Sequence, residues 1–560
     1  MTKINRRSFI QRIGSCAAGL GLVPALSPVL GAADGKGASN PADDGPVLVT
    51  GDAVAVAETK YGKVRGFILN GITAFRGIPY GASTAGSNRF MPPKEPAPWS
   101  EIRPALWWGN SAPQDMAHRF ADPYQSFIDH WNYDELSEDC LRLNVWTPAL
   151  DDGQRRPVMV WLHGGGYGAG NGIEQDGYDG ENFSRLGNVV FCSLNHRLGA
   201  IGFSDFSSVG GDPFAQSGNV GMLDIVAALQ WVRDNIAQFG GDPGNVTIMG
   251  QSGGGAKVCL LTAMPSAKGL FHKAFAQSGS CLHGIAKDRA AQLAGYILKE
   301  AGLAASDLAK LQQMPWPEYQ EIANRASKKL SHDSPSMGRP GGFGPVEDGV
   351  VVPVGRFYSD PAGLSSDIPM IVTTTFNESS PSRANSAMEQ VTLDEVKAKL
   401  RERFKDRTDA VVDAYAKAFP EAKPVVIWSL VASNRQSAVA TADAKSKQKA
   451  PVFVGWFGWQ PTLFDNRMRA FHCLDISFWF HNTDRMYTHT GGGARARRLS
   501  ARMAASLAHF MRTGNPNSGD LPDWPAYTSE KGETLVLDDV SVARDDPDGA
   551  ARRSLPPMPG

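Results

Sequence analysis

An α/β architecture, with a central mostly parallel sheet covered by helices on both faces, is predicted by three features of this sequence. Runs apolar on both faces recur along the chain, amphipathic stretches alternate with them, and 560 residues at 42% hydrophobic content are enough to bury a large core. Strands of that kind are stable only in a sheet covered on both sides. Acids and bases nearly cancel, 57 against 56, with no long run of one sign, which argues against a nucleic-acid or anionic-membrane footprint.

The first segment reads as a removable leader. "NRRSFIQ" sets Arg6 and Arg7 ahead of a modestly apolar run that is interrupted by Pro24 and Pro28 and ends in "GAA" at 31–33. This is the pattern of a twin-arginine export signal over 1–33, with a polar linker over 34–50. The expectation is a periplasmic or extracellular protein without stable membrane insertion after cleavage. Of six cysteines, Cys16 precedes the apolar run, which argues against lipidation; the others are irregularly spaced, with no CxxC or His-rich pattern. Neither a disulfide framework nor a metal site is expected.

Five stretches read as buried strands: 158–164, 188–195, 245–250, 368–375 and 451–457. Between the second and third, Met222, Ile225, Leu229, Val232, Ile236 and Phe239 recur at helical spacing until Gly240 and Gly241 stop them, giving a strand–helix–strand crossover. A late helix, "LSARMAASLAHFMRT", is closed by Gly514 and Pro516.

At the third of these strands, Gly250-Gln251-Ser252-Gly253-Gly254 fits G-x-S-x-G between strand and helix, the setting in which a sharp turn lifts a nucleophilic hydroxyl above a sheet. His163-Gly164-Gly165-Gly166 ends the first strand, and such a glycine run leaves N–H groups free to receive an oxyanion. Its spacing fits neither phosphate-binding glycine motif, and His163 reads as structural. A serine nucleophile needs a base and an orienting acid, expected downstream in the order acid then histidine, beyond strand ends. Glu378 in "FNESS" and His472 in "DNRMRAFHCLD" satisfy this, with His481 and His489 as alternatives and His509 inside a helix.

Ordered blocks across nearly all of the mature chain, among them "FRGIPYG", "SEDCLRLNVWTP", "WLHGGGYGAG", "LNHRLGAIGF", "NVTIMGQSGGG" and "RTGNPN", resemble the type-B carboxylesterases of the cholinesterase/carboxylesterase family, within the α/β-hydrolase fold. The resemblance implies a catalytic domain over 51–548 and a C-terminal tail over 549–560. It assigns Ser252 as nucleophile, Glu378 as acid, His472 as base, and Gly165, Gly166 and Gly253 as oxyanion donors, acting on a small-molecule ester without metal or cofactor. Three departures stand out. Gln251 replaces a frequent glutamate, which disfavours cationic substrates; Cys140 lacks its usual upstream partner and is expected as a free buried thiol; and His196 stands where tyrosine is common. Substrate-binding candidates are Gln251, Trp131, Arg383 and Arg469, with Arg467 nearby. The three arginines suggest a preference for anionic esters, unless they face solvent or pair with Asp465 and Asp475. A silent binding protein and a hydrolase of amides or lactones remain the alternatives.

Overall fold

Fifteen strands form within residues 46–116, 135–335 and 342–558, which a computed structural model describes. The predicted leader and Trp131 lie outside the described residues. In chain order the strands are β1 (Leu48–Val49), β2 (Val56–Thr59), β3 (Gly62–Arg65), β4 (Phe67–Leu69), β5 (Ile72–Pro79), β6 (Arg103–Pro104), β7 (Arg142–Thr147) and β8 (Arg156–Leu162). They continue as β9 (Val190–Leu194), β10 (Gly241–Gln251), β11 (Lys273–Gln277), β12 (Met370–Thr375), β13 (Val452–Phe457), β14 (Glu533–Leu537) and β15 (Val542–Asp545). The main sheet runs β1-β4-β5-β7-β9-β8-β10-β11-β12-β13-β14-β15; β2, β3 and β6 form a small second sheet.

All five predicted strands lie in the centre of the main sheet, where β9, β8, β10, β11, β12, β13 and β14 pair in parallel. Alternation along β8 shows why. Val158, Val160 and Leu162 join one hydrophobic cluster with Val258 and Leu261 of the helix Gly253–Ala263 and with Ile225 and Leu229 of the helix Val220–Asn235. Met159 and Trp161 point the other way, into a second cluster with Leu499, Met503 and Leu507 of the helix Ala494–Thr513. Period-two alternation of apolar residues on both faces thus forces two helical layers. Gly240 and Gly514 take left-handed φ of +75° and +80° where the predicted helices stop.

The antiparallel flank β1-β4-β5-β7 was not anticipated, and neither were β11, β14 and β15. These strands are short or mix polar with apolar residues, so pairing rather than local pattern defines them. Cys140 is a free, buried thiol, as expected, and burial pushes its ionisation upward. His196 stacks on His163 with ring centroids 5.0 Å apart, two buried imidazoles packed as structural groups. Among the described residues no helix is long and apolar enough to cross a membrane.

Candidate active site

Ser252 sits between the end of β10 and the helix Gly253–Ala263 with φ +56° and ψ −121°, a conformation that side-chain-bearing residues seldom adopt. The glycines around it are required by backbone contact. A Cβ on Gly250 would come 2.5 Å from Gly254, one on Gly254 1.9 Å from the carbonyl oxygen of Leu162, and one on Gly279 1.6 Å from that of Ser252 itself. Three chain segments therefore meet at van der Waals limits around one hydroxyl. The amide of Ser252 donates to Gln277 O at 2.8 Å, tying the turn to β11.

The predicted acid and base arrive on adjacent parallel strands. The residues after β12 and the loop after β13 are joined by an isolated bridge between Asn377 and Phe471, and Asn377 N donates to Ala470 O at 3.0 Å. The bridge sets the next residue of each segment, Glu378 and His472, side by side: Nδ1 of His472 bonds to Oε2 of Glu378. The other carboxylate oxygen, Oε1, accepts from Thr375 N at 2.8 Å, and the acid is 4% exposed. Burial opposes a charged imidazole at His472, but the neighbouring Cys473 and Glu378 outweigh it and hold the ring well above its ordinary range. No hydrogen bond of the described residues joins Ser252 Oγ to His472. Such contacts commonly tighten only once substrate is bound.

Gly165 and Gly166 adopt φ of +79° and +62°, the left-handed region in which a side chain is strained. Gly253 packs on Gly166 so closely that a Cβ there would lie 2.2 Å from the carbonyl oxygen of Gly166. Among the described residues no hydrogen bond takes up the N–H of Gly165, Gly166 or Gly253. For Gly253, at the first turn of its helix, that is the usual condition of an N-terminal amide. The three amides belong to segments in direct contact beside the serine, as an oxyanion site requires.

Ser252 and Gly253 line a cavity of about 320 Å³ together with Tyr167, Cys281, His283 and Phe343. Larger clefts, about 610 to 680 Å³, lie elsewhere and are lined by none of Ser252, Glu378 and His472.

The predicted substrate-binding residues need correction. Gln251 is fully buried and does not line the cavity. Its amide nitrogen lies 3.3 Å from Nδ1 and 3.1 Å from Nε2 of His472, so the side chain lies against the imidazole. Arg469, 8% exposed, makes a two-pronged pair with Glu389 at 2.7 and 2.9 Å, and lines a different cleft. That pair pulls the Glu389 carboxyl down to about 2. Arg467 bonds to the carbonyls of Ser382 and Arg383, and the Arg383 guanidinium lies 4.5 Å from the centre of the Phe471 ring. None of the three lines the serine cavity. Arg469 pairs with Glu389 rather than with the anticipated Asp465 or Asp475. Arg469→Gln is therefore expected to lower Tm while leaving the kcat/KM ratio of an anionic ester to its neutral isostere unchanged; a shifted ratio would place the charge back in the site.

Two buried titratable groups lie near the predicted site residues, one named in the sequence only as an arginine partner and one not named at all. Asp475, three residues after His472, is pushed up to about 7 by burial and by the nearby Glu378 charge. Lys257 lies within the nucleophile helix, fully buried. Its signal in the sequence was a lone cation in an otherwise apolar helical run, "GGGAKVCLLTA".

Comparison with known proteins places this geometry. The profile of the Carboxylesterase family matches residues 53–548. The para-nitrobenzyl esterase of Bacillus subtilis (strain 168) is 34% identical over 518 residues, covering 90% of this chain and 99% of that protein. Phenmedipham hydrolase of Pseudarthrobacter oxydans is 32% identical, covering 89% and 99%. Among solved structures, an esterase from anaerobic Clostridium hathewayi that can hydrolyse aliphatic aromatic polyesters aligns with a TM-score of 0.76 at 33% identity, over 90% of this chain and 98% of that one. A carboxylesterase of Geobacillus stearothermophilus aligns at 0.74 and 32%, over 89% and 99%. With the α/β-hydrolase sheet, the serine turn and a match over nearly the whole described chain in hand, the protein belongs to the carboxylesterase family and is a carboxylic-ester hydrolase.

Proposed function

We propose that the protein is an exported serine esterase in which Ser252 attacks the ester, His472 is the base, Glu378 orients that base, and Gly165, Gly166 and Gly253 receive the oxyanion. The observation that supports this most is the meeting of a strained serine, ringed by three untaken amides, with an imidazole whose Nδ1 is already bound to a carboxylate. That bond fixes the tautomer that leaves Nε2 to accept a proton.

The steps follow. As Ser252 Oγ bonds to the ester carbon, its proton passes to Nε2 of His472 and the carbonyl electrons move to the oxygen held by the three amides. The tetrahedral species collapses, the imidazolium gives its proton to the departing alkoxide, and the alcohol leaves an acyl-Ser252. Water repeats the sequence and frees the acid. Glu378 stabilises the imidazolium at each stage. No step in this scheme uses a metal or an organic cofactor.

A cavity of about 320 Å³ whose lining includes no lysine, arginine, aspartate or glutamate among the described residues favours uncharged esters with a compact group beside the serine. The name of one relative, para-nitrobenzyl esterase, supports a small-molecule benzyl ester as the first substrate to assay. A fluorophosphonate probe should label wild type at Ser252 and leave Ser252→Ala unlabelled. An unlabelled wild type without ester turnover would instead point to a silent binding protein. Matched ester and amide substrates decide the acyl bond: faster amide turnover would overturn the esterase preference.

Export rests on "NRRSFIQ" and the weakly apolar segment after it. Arg6→Lys with Arg7→Lys is expected to hold precursor in the cytoplasm, read by fractionation and immunoblot. Normally processed enzyme outside the inner membrane in that double variant would exclude the twin-arginine route.

A further inference from the structure

The ammonium of Lys257 is a charge the scheme above does not use. It lies on the nucleophile helix, five residues after Ser252, with no exposure to solvent. Its Nζ donates to the carbonyl oxygen of His163 at 3.1 Å. His163 is the last residue before Gly164, Gly165 and Gly166, so the bond holds the root of the glycine loop. The same carbonyl is approached by the helix from another point, since a Cβ on Gly254 would come 2.9 Å from it. Helix and loop are thereby joined at two places, one steric and one polar.

We propose that Lys257 is a positioning residue for ester hydrolysis: as an ammonium it clamps the His163 carbonyl, fixes the oxyanion loop against the nucleophile helix, and adds positive charge behind the oxyanion amides. The idea rests on the catalytic reading above.

The groups that face Lys257 come from several elements. Glu174, in the segment after the glycine loop, is the nearby carboxylate; the Tyr167 ring centre lies 6.0 Å from Nζ; and His196, beyond β9, is held neutral by burial and by the Lys257 charge. Arg197 is locked to Asp224 at 2.6 Å and contributes no second donor to the loop. Burial drives the Lys257 ammonium down to about 7, with Glu174 recovering part of the loss. As pH rises through that value the charge disappears, so the clamp weakens on the alkaline side.

The test is the pH profile of kcat for a neutral ester in wild type, Lys257→Arg and Lys257→Met, with Ser252→Ala as reference. Wild type is expected to decline on the alkaline side. Lys257→Arg, charged throughout, should lose that decline, and Lys257→Met should run about tenfold below wild type where the ammonium is charged and meet it on the alkaline side, with KM changed less than about twofold, because a transition-state interaction is lost. A merely structural lysine would alter Tm without moving the alkaline limb. A wild type without an alkaline limb, or a limb unchanged in Lys257→Arg, overturns the proposal; the arginine comparison decides even if the methionine variant fails to fold. An active Ser252→Ala would instead overturn the site reading beneath it.

Discussion

Ser252→Ala and His472→Ala are each expected to lower kcat on the order of a millionfold, with Glu378→Gln costing less, on the order of ten-thousandfold. The asymmetry follows from the geometry. Serine and imidazole make and break bonds, whereas the carboxylate acts through its bond to Nδ1. His481→Ala is the control, since its ring bonds to Ser500 at 3.2 Å and is committed elsewhere; His489, edge-on to Phe471 at 5.1 Å, is committed likewise. Turnover of a chromogenic ester by the purified variants provides the measurement. Retained activity in His472→Ala together with its loss in His481→Ala would mean that the base is misassigned.

Gly254→Ala is expected to be strongly damaging for a single added methyl. Its Cβ would lie 1.9 Å from Leu162 O, at the end of β8, so the nucleophile helix must withdraw from the strand that leads into the glycine loop. Overpacking of this kind costs about 1–3 kcal/mol even where side chains can yield, and here the obstacle is backbone. Displacing the amides from the developing oxyanion should remove a further hundredfold to thousandfold of kcat. Gly168→Ala, in the glycine loop that follows β8, is the comparison: nothing lies within 4 Å of its Cβ, and it should keep wild-type Tm and activity. A fully active, fully stable Gly254→Ala would require helix and strand to stand further apart than they do.

Sequence alone revealed those parts of the fold whose causes are local. β8, β9, β10, β12 and β13 are legible because burial on both faces leaves a continuous apolar run, and Ser252 because four glycines crowd one turn. Glu378 and His472, 94 residues apart, were accessible only because the chain order of such a site restricts the search. What escaped is what depends on distant partners. Arg469 was left open between the site, solvent and a pair with a nearby aspartate, and its partner Glu389 lies 80 residues earlier. Gln251 was read as facing substrate, yet the turn that lifts Ser252 turns its predecessor inward, beneath the imidazole. The edge strands were missed because β1 has two residues and β4 three, too few to carry a period.

The bridge between Asn377 and Phe471 divides the triad mechanically. Glu378 and His472 ride on loops beyond β12 and β13 that are stitched together, while Ser252 rides on β10, with β11 between the two groups. The proposed triad is thus carried by two groups of strands in one sheet, with the Gln251 amide, 3.1 Å from Nε2 of His472, as a side-chain contact between them. Shear across β11 changes the distance from serine to imidazole and leaves the carboxylate–imidazole bond intact. A displacement of β10 against β12 and β13 would therefore lower turnover through misalignment while the Glu378–His472 bond stayed in place.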